Sequence, residues 1–466
     1  MYYIKLKNMF KYILDIYKEF QKLSDNKRFT ELEFYLKNVS YYCLTFLGLN
    51  YLNQNELKKA KRFFEICDEI DPSNWETKVN LSNVYYKFKD LHKALVCVEK
   101  ALQCHNGYQE DTIYNLAVIN SELHKTQNSL ENYKSLMQIN PNHLLGKYNY
   151  SAELLKNNLY EEGWKLYESR FERFENLKLI KKEFSDMVFW NGEDLKNKSI
   201  LLFNEQGTGD LFQFIRFAKN LKDMGAKKII LLANQSIKSL FNNSNLVDEI
   251  IIDKKTYLEK KEKIDFVCSV CSLPLILKIF NSLYFWQGEY FKNNQKLELE
   301  KDKLNVGLVY CGSHLHPYDW KRSIKLSEFL SLQDLNKTNF YILQKFTQRN
   351  RIWENKVVDP LDVNIPSNWK DLDDFVKDYS DTATVINSLD LIISVDTSVA
   401  HLAGAMGKKV LLLLDYNNDW RWGLDLDSTP WYPSIEIIRQ EKPFEGWSNV
   451  VNKLKNKIIQ LQDQIS

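Results

Sequence analysis

Over the first third of the chain, apolar and small side chains return with a helical spacing, and that whole pattern then recurs. Residues 41–74 place Leu47, Gly48, Tyr51, Ala60, Phe64 and Pro72 at the seventh, eighth, eleventh, twentieth, twenty-fourth and thirty-second positions. Residues 75–109 repeat the pattern with Leu81, Ser82, Tyr85, Ala94 and Val98, and residues 110–143 with Leu116, Ala117, Asn120, Tyr133 and Pro141. From residue 144 it returns with Tyr150, Ser151, Leu154, Gly163 and Tyr167. The period is about 34 residues. Two helices of a hairpin approach closely only where small side chains cross, so the small eighth and twentieth positions predict stacked helical hairpins. A single hairpin cannot bury its apolar face, but stacked neighbours can. Residues 1–40 read as a degenerate helical cap on a repeat array spanning 41–175.

After a linker expected at 176–198, strand-length apolar runs alternate with helical stretches. SILLFN, KKIILLA, VDEIIID and IDFVCSV form one series. LNVGLVY, NFYILQKF, VVDPL, LIISVD, KKVLLLLD and SIEIIRQ form a second, closed by a final helix from about Trp447. Strands alternating with helices predict parallel sheets covered on both faces. Two series predict two Rossmann-like lobes, 199–300 and 301–466, with ligands at the carboxyl ends of the strands. The fold class expected is an all-α solenoid followed by an α/β module.

Composition narrows the function. The 466 residues are 44% hydrophobic, enough for real cores. Lys and Arg number 63 against 61 Asp and Glu, a net charge of +2 that gives no reason to expect nucleic acid. The longest apolar runs, such as Val410 to Leu414, fall far short of the roughly 20 residues that span a bilayer. The first residues lack an apolar signal core and a cleavage site. The expectation is a cytoplasmic protein, with a peripheral position at the inner face of the membrane left open. Seven cysteines scattered through repeats and strands argue against a disulfide framework, and the lone pair Cys268 and Cys271 reads as buried structure.

Four segments carry candidate chemistry. The loop Gln206, Gly207, Thr208, Gly209, Asp210 follows the first strand, with Gln213 one turn further. Its glycines let backbone approach a ligand, and Asp210 reads either as a helix cap or as a general base. Phe212 stands where a dinucleotide fingerprint needs its third glycine, and Asn234 and Gln235 stand where it needs an acid, so a Rossmann oxidoreductase is disfavoured. The second segment is Asp396, Thr397, Ser398, His401 and Gly404, at a strand end that opens a helix. Hydroxyls and free N–H groups there suit a diphosphate. Arg322, beyond the strand NVGLVY, reads either as a phosphate clamp or as a solvated loop charge. Asp419, Trp420, Arg421 and Trp422 read either as a wall for a base or sugar ring or as a packing seam.

Together Gly207-Thr208-Gly209-Asp210, Arg322-Ser323-Ile324, the run from Asp396 to Gly404, Asp419-Trp420-Arg421-Trp422 and Pro430-Trp431-Tyr432-Pro433 resemble bacterial tetratricopeptide-repeat proteins. Their C-terminal module is similar to glycosyltransferase family 9, the heptosyltransferases. Thr208 departs from the apolar residue usual in that family. The resemblance implies a GT-B fold with the acceptor on the first lobe and a nucleotide-sugar donor on the second. It also implies inverting transfer with no metal or other cofactor, Asp210 as base, and Asp396, Thr397, Ser398, His401 and Arg322 around the diphosphate. The acceptor, whether glycan, lipid or protein, is left open, as is a peptide or protein on the repeats. The other class kept is a non-catalytic repeat scaffold with a degenerate nucleotide-sugar module.

Overall fold

The computed structural model describes residues 18, 22, 29–242, 244–253, 256–257, 259, 263–316, 318–345, 351–353, 356–358, 362–424 and 426–463. The chain divides into two compact units, Met1–Pro141 and Asn142–Ser466.

The first unit holds three helical hairpins: α1 (Phe29–Asn53) with α2 (Leu57–Ile70), α3 (Trp75–Lys87) with α4 (Leu91–Gln103), and α5 (Glu110–Glu122) with α6 (Thr126–Ile139). The small-residue crossing is where the sequence puts it. Ser82 Oγ, at an eighth position, donates to the Ala94 carbonyl at 2.9 Å, and Ser129 Oγ, at a twentieth, donates back to the Ala117 carbonyl at 3.1 Å. Each turn reverses through a left-handed residue, Asn55, Lys89 or His124, at φ 59°, 65° and 54°. The expected cap over 1–40 does not end at residue 40, because α1 runs unbroken from Phe29 through the first repeat. Its earlier part lies mostly outside the described residues.

The second unit begins with the fourth hairpin, α7 (Leu144–Lys156) and α8 (Tyr160–Tyr167), so the expected repeat domain 41–175 is divided. The cause is aromatic: Tyr160, Trp164 and Tyr167 belong to the same buried cluster as Phe214, Phe285, Trp420 and Trp431. The expected linker 176–198 is packed structure too. Glu175–Glu183 is helical, Leu177, Phe184 and Trp190 are buried, and the Trp190 N–H donates to the Val267 carbonyl at 2.9 Å.

Two parallel sheets follow. The first has the order β3-β2-β1-β4, with β1 Ser199–Phe203, β2 Lys228–Leu232, β3 Glu249–Ile251 and β4 Phe266–Ser269. The second has the order β12-β13-β11-β10-β5-β6-β9. Its strands are β5 Leu304–Val309, β6 Thr338–Ile342, β9 Lys370–Asp371, β10 Leu391–Val395, β11 Val410–Leu414, β12 Ser428–Thr429 and β13 Tyr432–Arg439. Only β12 runs antiparallel there. The expected strand VVDPL joins neither sheet: β8 (Lys356–Val358) pairs with β7 (Arg351–Trp353), and residues 359–361 lie outside the described residues. Strands β1, β5, β10 and β11 are buried at every position, as central parallel strands must be. Four helices complete the frame of the site: α9 (Thr208–Phe214) after β1, α10 (Tyr379–Ser388) before β10, α11 (Ser398–Ala405) after it, and α12 (Ser448–Gln462) at the end. No helix among the described residues is long and apolar enough to cross a membrane.

Candidate functional site

The loops leaving β1, β5, β10 and β11 all emerge at carboxyl ends of strands, where the dipoles and free N–H groups of the following helices gather. Gly207 caps α9, which makes Asp210 its third residue, and one Asp210 oxygen accepts the Gly207 N–H at 2.8 Å. Asp210 is therefore not the N-cap residue itself, but its carboxylate closes back on the N-cap N–H from the third helical position. That bond does not exhaust the carboxylate, because the other oxygen meets the Arg421 guanidinium from the second lobe. Arg421 also donates from Nη1 to Asp419 at 2.8 Å and from Nε to the Gln213 side-chain carbonyl at 2.7 Å. Its guanidinium lies 4.2 Å from the Trp420 ring centre. Burial pushes the Asp210 carboxyl above its ordinary range, with Arg421 opposing. Burial acts on Asp419 in the same sense, but Arg421 prevails and holds it below.

Beside this cluster β10 delivers Asp396 and α11 begins. Thr397 is the N-cap, its hydroxyl 3.0 Å from Ser394 Oγ, and the Ser398 hydroxyl lies 2.8 Å from the Tyr379 hydroxyl. His401 Nδ1 meets the Tyr432 hydroxyl at 3.0 Å, while Nε2 is 3.9 Å from Asp396. Burial, with Arg421 nearby, drives His401 down to about 3, so the ring is neutral near pH 7. Burial and the Asp419 charge lift Asp396 to about 6. Arg322 donates to the Asp396 carbonyl at 3.0 Å, and its buried Nε has no hydrogen-bond partner, lying 3.5 Å from Asp319. Arg322 is thus no solvated loop charge.

The two lobes meet here. A Cβ placed on Gly209 would lie 2.9 Å from His401 Cδ2, so the loop glycine admits a side chain of the other lobe. Gly404 belongs elsewhere: it is buried, and a Cβ there would lie 2.6 Å from the Tyr432 ring, so its smallness serves helix–strand packing. Trp420 and Trp422 are 6% and 1% exposed, which decides for the seam over an open wall. Trp420 meets Trp164 edge-on at 5.3 Å, and Trp422 lies over His401 at 5.0 Å. Thr208 opens α9 half-buried.

Residues of the fourth hairpin belong to the site although sequence reasoning left them in the repeat array. The Gln206 amide and the Tyr167 hydroxyl exchange hydrogen bonds at 2.9 and 3.1 Å, and Tyr148 stacks on Tyr167 at 5.8 Å. Fully buried Arg170 reaches Glu205 at 3.0 Å and Ser272 at 2.7 Å, and Lys156 reaches Asn417 at 2.6 Å. The signal available was the aromatic density of this repeat. Arg216, equally buried, donates to the Phe285 and Trp431 carbonyls at 2.8 and 2.7 Å and to the Tyr290 hydroxyl at 2.9 Å. Among the described residues no three His, Cys, Asp or Glu side chains are grouped to hold a metal ion.

The profile of glycosyltransferase family 9 (heptosyltransferase) matches residues 378–455, which include Asp396 to Gly404 and Asp419 to Trp422 but not the Asp210 loop. A tetratricopeptide-repeat profile matches residues 41–74. Protein FlbA of Caulobacter vibrioides is 24% identical over 306 residues, 60% of this chain and 49% of that protein, so the chain spans about half the length of the curated relative it matches. Among solved structures, a glycosyl transferase family 9 from Veillonella parvula is 12% identical, with 59% of this chain and 100% of that one covered and a TM-score of 0.43. An O-GlcNAc transferase mutant from Thermobaculum terrenum is 10% identical, with 92% of each chain covered and a TM-score of 0.33. The chain thus carries a tetratricopeptide repeat and, behind it, a region of the glycosyltransferase family 9 (heptosyltransferase) kind within an α/β module.

Proposed function

We propose that the second unit is an inverting, metal-independent glycosyltransferase that takes a sugar from a nucleoside-diphosphate donor. The observation that carries this reading is the convergence, at strand carboxyl ends, of a carboxylate from one lobe with the helix opening, hydroxyls, neutral imidazole and half-buried Arg322 of the other. The donor's diphosphate lies at the start of α11, bound by its free N–H groups, Thr397, Ser398 and Arg322. Asp210 accepts the proton of the acceptor hydroxyl as its oxygen attacks the anomeric carbon from the face opposite the diphosphate. The carbon–oxygen bond to phosphate breaks with its electron pair, and Arg322 with the fixed dipoles of α11 holds the charge that develops. The repeats of the first unit serve partner or acceptor recognition.

The Asp210–Arg421 pair is the one observation that favours the other reading, a scaffold whose carboxylate is merely structural. Thermal unfolding with ADP, UDP, GDP, CMP and their sugars separates the two. A ligand at one hundred times its Kd stabilises by about 2.7 kcal/mol. One nucleoside diphosphate is expected to raise the unfolding temperature, and His401→Ala to abolish that rise. Asp210→Asn is expected to keep the rise yet lose transfer. No rise with any nucleotide would leave the scaffold reading.

A further inference from the structure

A half-buried carboxylate serves as a base only if it stays ionised and aimed, and desolvation opposes the first of these at Asp210. Among the described residues the groups that act on it are Arg421 and Asp419 from the turn after β11, Tyr148 and Tyr167 from the fourth hairpin and Cys271 from the turn after β4, while His401 of α11 packs on the neighbouring Gly209. Arg421 is the cation among them, and it is 8% exposed. All three of its nitrogens are engaged: Nη2 with Asp210, Nη1 with Asp419 and Nε with Gln213, with the Trp420 ring beneath the plane. Asp419 fixes Arg421 to the second lobe, and Gln213, on the same helix as Asp210, fixes it to the first. The remaining Asp210 oxygen is tied to the Gly207 N–H. The carboxylate is therefore held at both oxygens, and one of the two restraints comes from the opposite lobe.

We propose that Arg421 is the positioning residue of the base, holding the Asp210 carboxylate charged and in one orientation at the seam of the lobes. This rests on the reading of Asp210 as the base. A lysine supplies the charge without the planar fork, so the two contributions are separable.

The experiment compares wild type, Arg421→Gln, Arg421→Lys, Asp210→Asn and the double variant Asp210→Asn/Arg421→Gln. One readout is the unfolding temperature without ligand. The other is consumption of whichever UDP-, GDP- or ADP-linked hexose stabilises the wild type, followed from acid to neutral pH. Loss of the Arg421 charge removes what favours ionised Asp210, so the acid limb of kcat moves to higher pH. In Arg421→Gln that movement is expected to be about one unit or more, with kcat at pH 7 about tenfold lower and the donor KM little changed. Arg421→Lys restores the acid limb but not the full kcat, and serves as the reading if Arg421→Gln fails to fold. The unfolding shifts of the two single variants are expected to add to more than that of the double. An unmoved acid limb, or a raised donor KM with an unmoved limb, overturns the proposal while Asp210→Asn remains inactive. Turnover at the wild-type rate by Asp210→Asn sinks the base assignment first, and this proposal with it.

Discussion

Asp396 stands at the end of β10 with its carboxyl raised from 3.8 to about 6 by burial and by the Asp419 charge. The folded protein therefore holds that proton where the unfolded chain has lost it. Between about pH 4 and about 6 the folded state binds more protons, so this group's contribution to stability falls as pH rises, and the cost is fully present above pH 6. A shift of about two units bounds the cost at about 3 kcal/mol. His401 slopes the other way, since a neutral buried imidazole gains stability as pH rises toward its ordinary range. Comparing Asp396→Asn with wild type at each pH removes the histidine contribution. The variant's stability relative to wild type is expected to increase by up to about 3 kcal/mol from pH 4 to pH 7.5 in urea unfolding. A flat difference would mean that Asp396 titrates as an ordinary aspartate. The sequence showed that Asp396 closes a strand and opens a helix, but not the charge state that burial gives it. Besides that burial, the charge that raises its carboxyl is Asp419, which arrives from the turn after a different strand, β11.

At the scale of elements, α9 and α11 cross at Gly209, and the space a Cβ would take is held by His401, with Ser398 Cα 3.5 Å away. Gly209→Ala is expected to cost about 1–3 kcal/mol through overpacking, read as a lowered unfolding temperature. A variant as stable as wild type would show that the two helices separate freely. The glycine itself was readable from the sequence, as was the turn it opens. What approaches it was not, because a glycine records only that something comes close. The tryptophans of the Asp419 turn repeat the lesson: sequence left wall and seam open, and only the facing side chains Trp164, Phe214 and Trp431 decide for the seam. The repeats were legible to the position, since the crossing of eighth and twentieth residues is local chemistry repeated in phase. The four strands of the first sheet and the parallel sense of both sheets followed from the alternation of strand and helix, whereas the strand order of the second did not. The fate of the fourth repeat did not, because its period is ordinary and only its aromatic content is unusual.

For the whole molecule the decisive boundary lies at Pro141 and Asn142 rather than at the end of the repeat pattern. Residues 142–466 are expected to fold alone and to keep the nucleotide response of the full chain. A chain starting at residue 176 is not. It loses Tyr160, Trp164 and Tyr167, all buried against Phe285, Phe214 and Trp420. Burying one large apolar side chain is worth about 1.5–3 kcal/mol, so three bring about 5–9 kcal/mol, within the range of a whole domain's stability. It also loses Arg170, leaving the Glu205 carboxylate, 6% exposed, without its cation. Expression of both chains, followed by near-ultraviolet circular dichroism and thermal unfolding, decides the matter. One cooperative transition in 142–466 and aggregation in 176–466 are expected. A shorter chain that unfolds at the temperature of the longer would make the hairpin an appendage. The hydrogen bonds from Tyr167 to Gln206 and from Lys156 to Asn417 argue the opposite, since they bind the hairpin to the loop that carries Asp210 and to the turn that carries Arg421.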